Sequence, residues 1–229
     1  SNLRRQRQMC IRDSYYNSYD VKSDHGWGEL MELIEKINFD FDNLGDVLNI
    51  DRVLWAFAVN SAILNLDTYN GYYVHNYYLY RTEDGLFQMI PWDFDNSFAG
   101  AILGWDFFDP MVVYNYDTYG NQYAPNERPL LEKLLDDPYY KKLYNAHLKT
   151  VYTESLIDTD AVRASINQLQ ATAYAAVVQD ENKLFSMGQY SSNVEENLWT
   201  GWGFGGIMSM INGRNAYLSG LQTMFMPTP

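Results

Sequence analysis

Four residues of this sequence form a chemically legible set: Asp67, Asn76, Asp93 and Asp95. Carboxylate and amide oxygens are the donors that a hard cation such as magnesium takes, leaving further positions to water or phosphate. Asn76 lies 9 residues after Asp67, and Asp93 lies 17 after Asn76. A strand after Asn76 that returns antiparallel before Asp93 would bring those two to one end of a hairpin. Such a group could hold a metal and keep one carboxylate spare for proton transfer. On the residues alone, turn capping and plain solvation account for the same aspartates equally well.

The elements that must position these residues follow from periodicity. Residues 27–38 place Leu30, Ile34 and Ile37 on one helical face, and an acidic turn follows over 39–46. Asp51 is expected to open a strong helix, with Leu54, Phe57, Ala58, Ser61 and Leu64 on one side, ending near Leu66 and Asp67. Asn70-Gly71 marks a tight turn. Residues 75–82 and 86–90 read as two strands joined by Glu83-Asp84-Gly85, with Pro91 ending the second. A Gly- and aromatic-rich loop is expected to about residue 127. Pro129 and Pro138 sit where helices start, the second running to roughly Tyr152. Asp158 caps another, with Val162, Ile166, Leu169, Ala173 and Val177 in register. A Gly/Trp-rich link precedes a last helix carrying Ile207, Ile211, Leu218, Leu221 and Phe225. The expected class is α+β and helix-rich.

The order helix, loop Asp, Asn, short hairpin, Asp is that of a protein-kinase active site, although no HRD or DFG tripeptide is present. The stretches His75-Asn76-Tyr77-Tyr78-Leu79-Tyr80-Arg81, Gly85-Leu86-Phe87 and Ile90-Pro91-Trp92-Asp93-Phe94-Asp95 closely resemble the CotH kinase family. Asn65-Leu66-Asp67 resembles its Asp-bearing loop. Arg128-Pro129-Leu130-Leu131, Asp137-Pro138-Tyr139-Tyr140 and Arg214-Asn215-Ala216-Tyr217-Leu218 resemble its later helices, so the likeness runs from about residue 30 to 225. It implies a kinase-like C-lobe with a central β-hairpin and a C-terminal helical bundle. It implies an atypical protein kinase that uses Mg2+ and ATP to phosphorylate Ser, Thr or Tyr hydroxyls. In that reading Asp67 is the catalytic carboxylate, Asn76 and Asp93 hold magnesium on the nucleotide phosphates, and Asp95 assists the metal or braces the loop. The gap from Asp67 to Asn76 exceeds the usual one by about four residues, which leaves Asn70 as a rival for the amide role.

A kinase also needs a phosphate-covering loop and a strand Lys paired to a helix Glu. Before Asp67 the only lysines are Lys22 and Lys36, and neither stands in a strand pattern. The chain therefore reads as a fragment without most of the N-lobe. Residues 1–13 carry no helical or strand period, resemble vector- or adapter-derived sequence, and are set apart from a kinase-like domain over 14–229.

Composition bounds the alternatives. Sixteen basic residues against 29 acidic ones give a net charge of −13, which argues against a nucleic-acid partner and weakly favours a basic or neutral acceptor. No apolar run reaches the roughly 18 residues that a membrane helix needs. The one cysteine, Cys10, excludes an intrachain disulfide and a Cys-based zinc site. With the family resemblance, this suits an extracellular, cell-surface or spore-coat location and a protein substrate there. Two rivals stand: a non-catalytic coat or surface interaction module, and a carbohydrate-active protein using Asp67 and Asp93 as paired carboxyls. Asp40, Asp42 and Gly45 fit part of a calcium loop, but Leu44 and Asp51 do not, so a solvated connector is expected. His75 borders the set and is read mainly as a strand-edge residue, and Arg214, on an apolar stripe, as a paired cation.

Overall fold

The computed structural model describes residues 15–71, 74–99, 127–201 and 203–220. The fold is α+β and helix-rich, with small antiparallel sheets. Helix α1 (Trp27–Phe39) buries Leu30, Leu33, Ile34 and Ile37, the face its periodicity selects. The acidic turn is a 3-10 helix, Phe41–Asp46. Its charge is met locally: Lys36 reaches both Asp40 and Asp46, and the Asn43 amide donates to Asp40 at 2.7 Å.

Helix α2 (Ile50–Ala62) is the hub. It starts one residue before Asp51, because Asn49 is the cap and accepts from the Arg52 amide at 3.1 Å. Asp51 instead pairs with His147 at 2.8 Å. The helix also stops at Ala62, short of the expected Leu66, so residues 63–71 form a loop. Val53, Leu54, Phe57 and Ala58 are fully buried. Each of the larger ones contributes about 1.5–3 kcal/mol to burial. Against α2 packs α4 (Pro138–Val151), where the Tyr144 hydroxyl donates to Ser61 at 2.9 Å. The short α3 (Pro129–Asp136) precedes α4, and Asp137 caps α4 through the amides of Tyr139 and Tyr140.

The hairpin forms as read, slightly shorter: β1 (Tyr77–Arg81) pairs antiparallel with β2 (Phe87–Pro91), Tyr77 opposite Pro91 and Arg81 opposite Phe87. Phe87 and Met89 point into the core, while Tyr78, Tyr80 and Ile90 are exposed. The hairpin is pinned to the start of α2: the Phe87 amide donates to Val47 at 2.7 Å and the Asn49 amide to Phe87 at 2.9 Å.

A one-turn π-helix (Tyr152–Leu156) leads from α4 to α5 (Thr159–Gln179), capped by Asp158 as expected. The α5 stripe is only partly a packing face. Val162 and Ile166 rest on Val194, Met208 and Ile211, whereas Leu169 is 70% exposed. After the short α6 (Met187–Ser192), the Gly/Trp-rich link makes a small sheet unforeseen in the sequence, β3 (Leu198–Trp199) with β4 (Gly203–Phe204). The last helix, α7 (Ile207–Gly220), buries Ile211, Arg214 and Leu218, and the Arg214 guanidinium lies 5.2 Å from the Tyr217 ring centre. Leu221 and Phe225, Trp105 and Trp202, and residues 1–14 lie outside the described residues. No described helix is long and apolar enough to cross a membrane.

Candidate functional site

Two loops meet at the open end of the hairpin: residues 63–71 after α2, and 92–99 after β2. Main-chain bonds join them, from the Phe98 amide to Ile63 at 2.7 Å and from Ala99 to Leu64 at 3.2 Å. Leu64, Asn76, Asp93, Phe98 and Ala99 all adopt positive φ, between 53° and 58°. L-residues take that region at a cost of roughly 1–2 kcal/mol each, so the surroundings must enforce it.

Asp67 is the centre. Asn76 donates its amide to the Asp67 carboxylate at 3.1 Å and to its carbonyl at 2.9 Å. Asn96 donates to the same carboxylate oxygen at 3.0 Å, and His75 contacts the other. The Trp92 amide donates to the Asn76 carbonyl at 2.9 Å, which sets Asp93 one residue beyond Asn76 across the hairpin mouth. Asp93 and Asp95 are exposed there. The Asp95 carboxyl is held above its ordinary pKa by partial withdrawal from water, then by Asp93, to which it hydrogen-bonds, and by Asp67. All four residues selected from the sequence thus gather at one mouth.

Asn70 is placed differently. It is buried, donating to the Phe57 carbonyl at 3.3 Å and accepting from Asn60 at 3.5 Å. Asn60 also donates to Thr68, and Asn65 donates to Asn60 and accepts from the Asp67 amide at 3.3 Å. This buried amide network underpins the loop. Asn60, Asn65 and Asn70 recur every fifth residue, a pattern that could have flagged it. Asn96, which directly follows the Trp-Asp-Phe-Asp stretch, joins the site only through the fold. His75 is not a strand-edge residue: β1 begins at Tyr77, and His75, two residues before it, contacts the Asp67 carboxylate.

Oxygen donors and crowded carboxyls are the chemistry that suits magnesium, which commonly takes one or two carboxylates and completes its shell with water and phosphate. Among the described residues no group of three or more His, Cys, Asp or Glu side chains closes on one point. Beside Asn76 lies a cleft of about 790 Å³ between residues 18–30 and β1, lined in part by His75, Tyr78 and Tyr80.

A family model described as CotH kinase protein matches residues 2–198. The inner spore coat protein H of Bacillus subtilis (strain 168) is 26% identical over 191 residues, covering 80% of this chain and 48% of that protein. The chain thus spans about half the length of the relative it matches. No solved structure matches.

Proposed function

The chain belongs to the CotH kinase family, and from that premise we propose that it carries the metal- and nucleotide-binding part of an atypical protein kinase with a kinase-like C-lobe. The reaction is Mg2+-dependent transfer of a phosphoryl group from ATP to a protein hydroxyl. The supporting observation is the convergence of Asp67, Asn76, Asp93 and Asp95 at the hairpin mouth, two of them on left-handed backbone. Bound magnesium would neutralise charge on the transferring phosphate. Asn76, through its amide oxygen, and Asp93 would hold it, with Asp95 assisting. Asp67, steadied by Asn76 and Asn96, would orient the acceptor hydroxyl and take its proton. His75 must leave the Asp67 carboxylate for that oxygen to accept. The cleft that Asn76 lines has the volume of a nucleotide-sized pocket, with Asp67, Asp93 and Asp95 outside its lining.

Calorimetry of the full-length native protein with ATP and magnesium tests this. Saturable binding is expected, weakened at least about tenfold by Asp93→Ala, in line with the loss of one charged contact. No binding by the native protein, or binding indifferent to Asp93→Ala, overturns the assignment. A second reading, a non-catalytic assembly module of a coat, is favoured by the name of the spore-coat relative. It is the reading that remains if native protein ignores nucleotide.

A further inference from the structure

We propose that Arg128 is a positioning residue for Asp67, an inference that rests on the phosphoryl-transfer reading and deepens it. Arg128 precedes α3 and is only 1% exposed. Its Nε donates to the Tyr69 carbonyl at 3.0 Å and its Nη2 to the Gly71 carbonyl at 2.6 Å, 59 and 57 residues away in sequence. Both carbonyls belong to the tight turn that begins at Asp67's neighbour, closed by the Gly71 amide on Thr68 at 2.9 Å.

The turn is buried, so its outward carbonyls need donors. A guanidinium fork can serve two at once with fixed spacing, which a lysine ammonium cannot do in one plane. Burying a full charge is costly where packed apolar groups would serve stability as well. Its presence at this turn is explained if the turn's exact placement matters. Asp67 immediately precedes the turn, and its carbonyl and carboxylate are what Asn76 grips. Arg128 therefore sets the turn from one side while the Asn60 network supports it from another, and both fix where the Asp67 carboxylate meets Asn76 and Asn96.

The test is Arg128→Lys, which keeps the charge and loses the fork, with Arg128→Gln as a second variant. Side-chain amide signals of Asn76 and Asn96 are followed by NMR, with Asn215, which donates to the Leu156 carbonyl and has no bond to the turn or to Asp67, as the control. The expected result is that the Asn76 and Asn96 signals shift while Asn215 does not. In turnover, kcat should fall by about 100-fold, the scale of a 1 Å misplacement, with KM for ATP little changed. Unmoved Asn76 and Asn96 signals, equal shifts everywhere, or failure of both variants to fold would each overturn the proposal. Localised shifts in a native protein without any turnover would uphold the placement of Asp67 and sink the chemistry assigned to it.

Discussion

At the scale of single residues, the site is a balance between like charges and amide donors. Asp67 is compensated by Asn76, Asn96 and His75, whereas Asp95 faces Asp93 and Asp67 across the same mouth. A carboxyl whose folded pKa is raised disfavours the folded state when ionised, and that penalty disappears as pH falls and the proton returns. Without divalent metal, Asp95→Asn should therefore raise the thermal midpoint at pH 7. The gain should vanish on titration down through the raised Asp95 value to below about pH 4, the ordinary carboxylate value. A gain independent of pH would show that charge is not its cause. The types of these residues were legible in the sequence. Their pairing was not, because which amide reaches Asp67 depends on a turn that hides Asn70 and a backbone sign at Asn76.

At the scale of elements, helix and strand patterns were readable wherever one face is buried. Helix α1 and the hairpin match their periodicity, and α3 and α4 start at Pro129 and Pro138 as expected. The misreadings have local causes. Asn49 outcompetes Asp51 as a cap because Asp51 turns to His147, and α2 ends early because the backbone turns left-handed at Leu64 and the Asn65 amide reaches back to the Asn60 carbonyl. The Gly-rich link illustrates packing that no pattern announces. A Cβ at Gly205 would stand 2.2 Å from the Phe98 carbonyl oxygen, so the link presses directly on the loop that carries Asn96. Gly205→Ala should cost about 1–3 kcal/mol, the usual range for overpacking, measured by urea unfolding. It should also shift the Asn96 side-chain signal; a silent substitution would mean the two loops do not touch.

At the scale of the whole molecule, a net charge of −13 sets a general repulsion on which the site is superimposed. Sodium chloride should raise the thermal midpoint modestly by screening. Magnesium at equal ionic strength should raise it further if the Asp93 and Asp95 pair takes the ion, because a ligand bound only by the folded state stabilises it. The excess of magnesium over sodium should be lost in Asp93→Ala; equal responses to the two salts would remove the cation site.

The sequence by itself determined the α+β class, the hairpin and the four oxygen-donor residues. Family membership was readable from the hairpin and its Pro-Trp-Asp-Phe-Asp exit, since those are properties of residue type and near-neighbour spacing. Only the tertiary structure decided that Asn76 rather than Asn70 faces Asp67, that Asn96 and His75 join it, and that Arg128 clamps the turn from 57 and 59 residues away. The reason is that hydrogen bonds between distant loops depend on how helices and hairpin pack. That packing is set by the buried faces of α2, α4 and β2 together and leaves no period in the loops themselves.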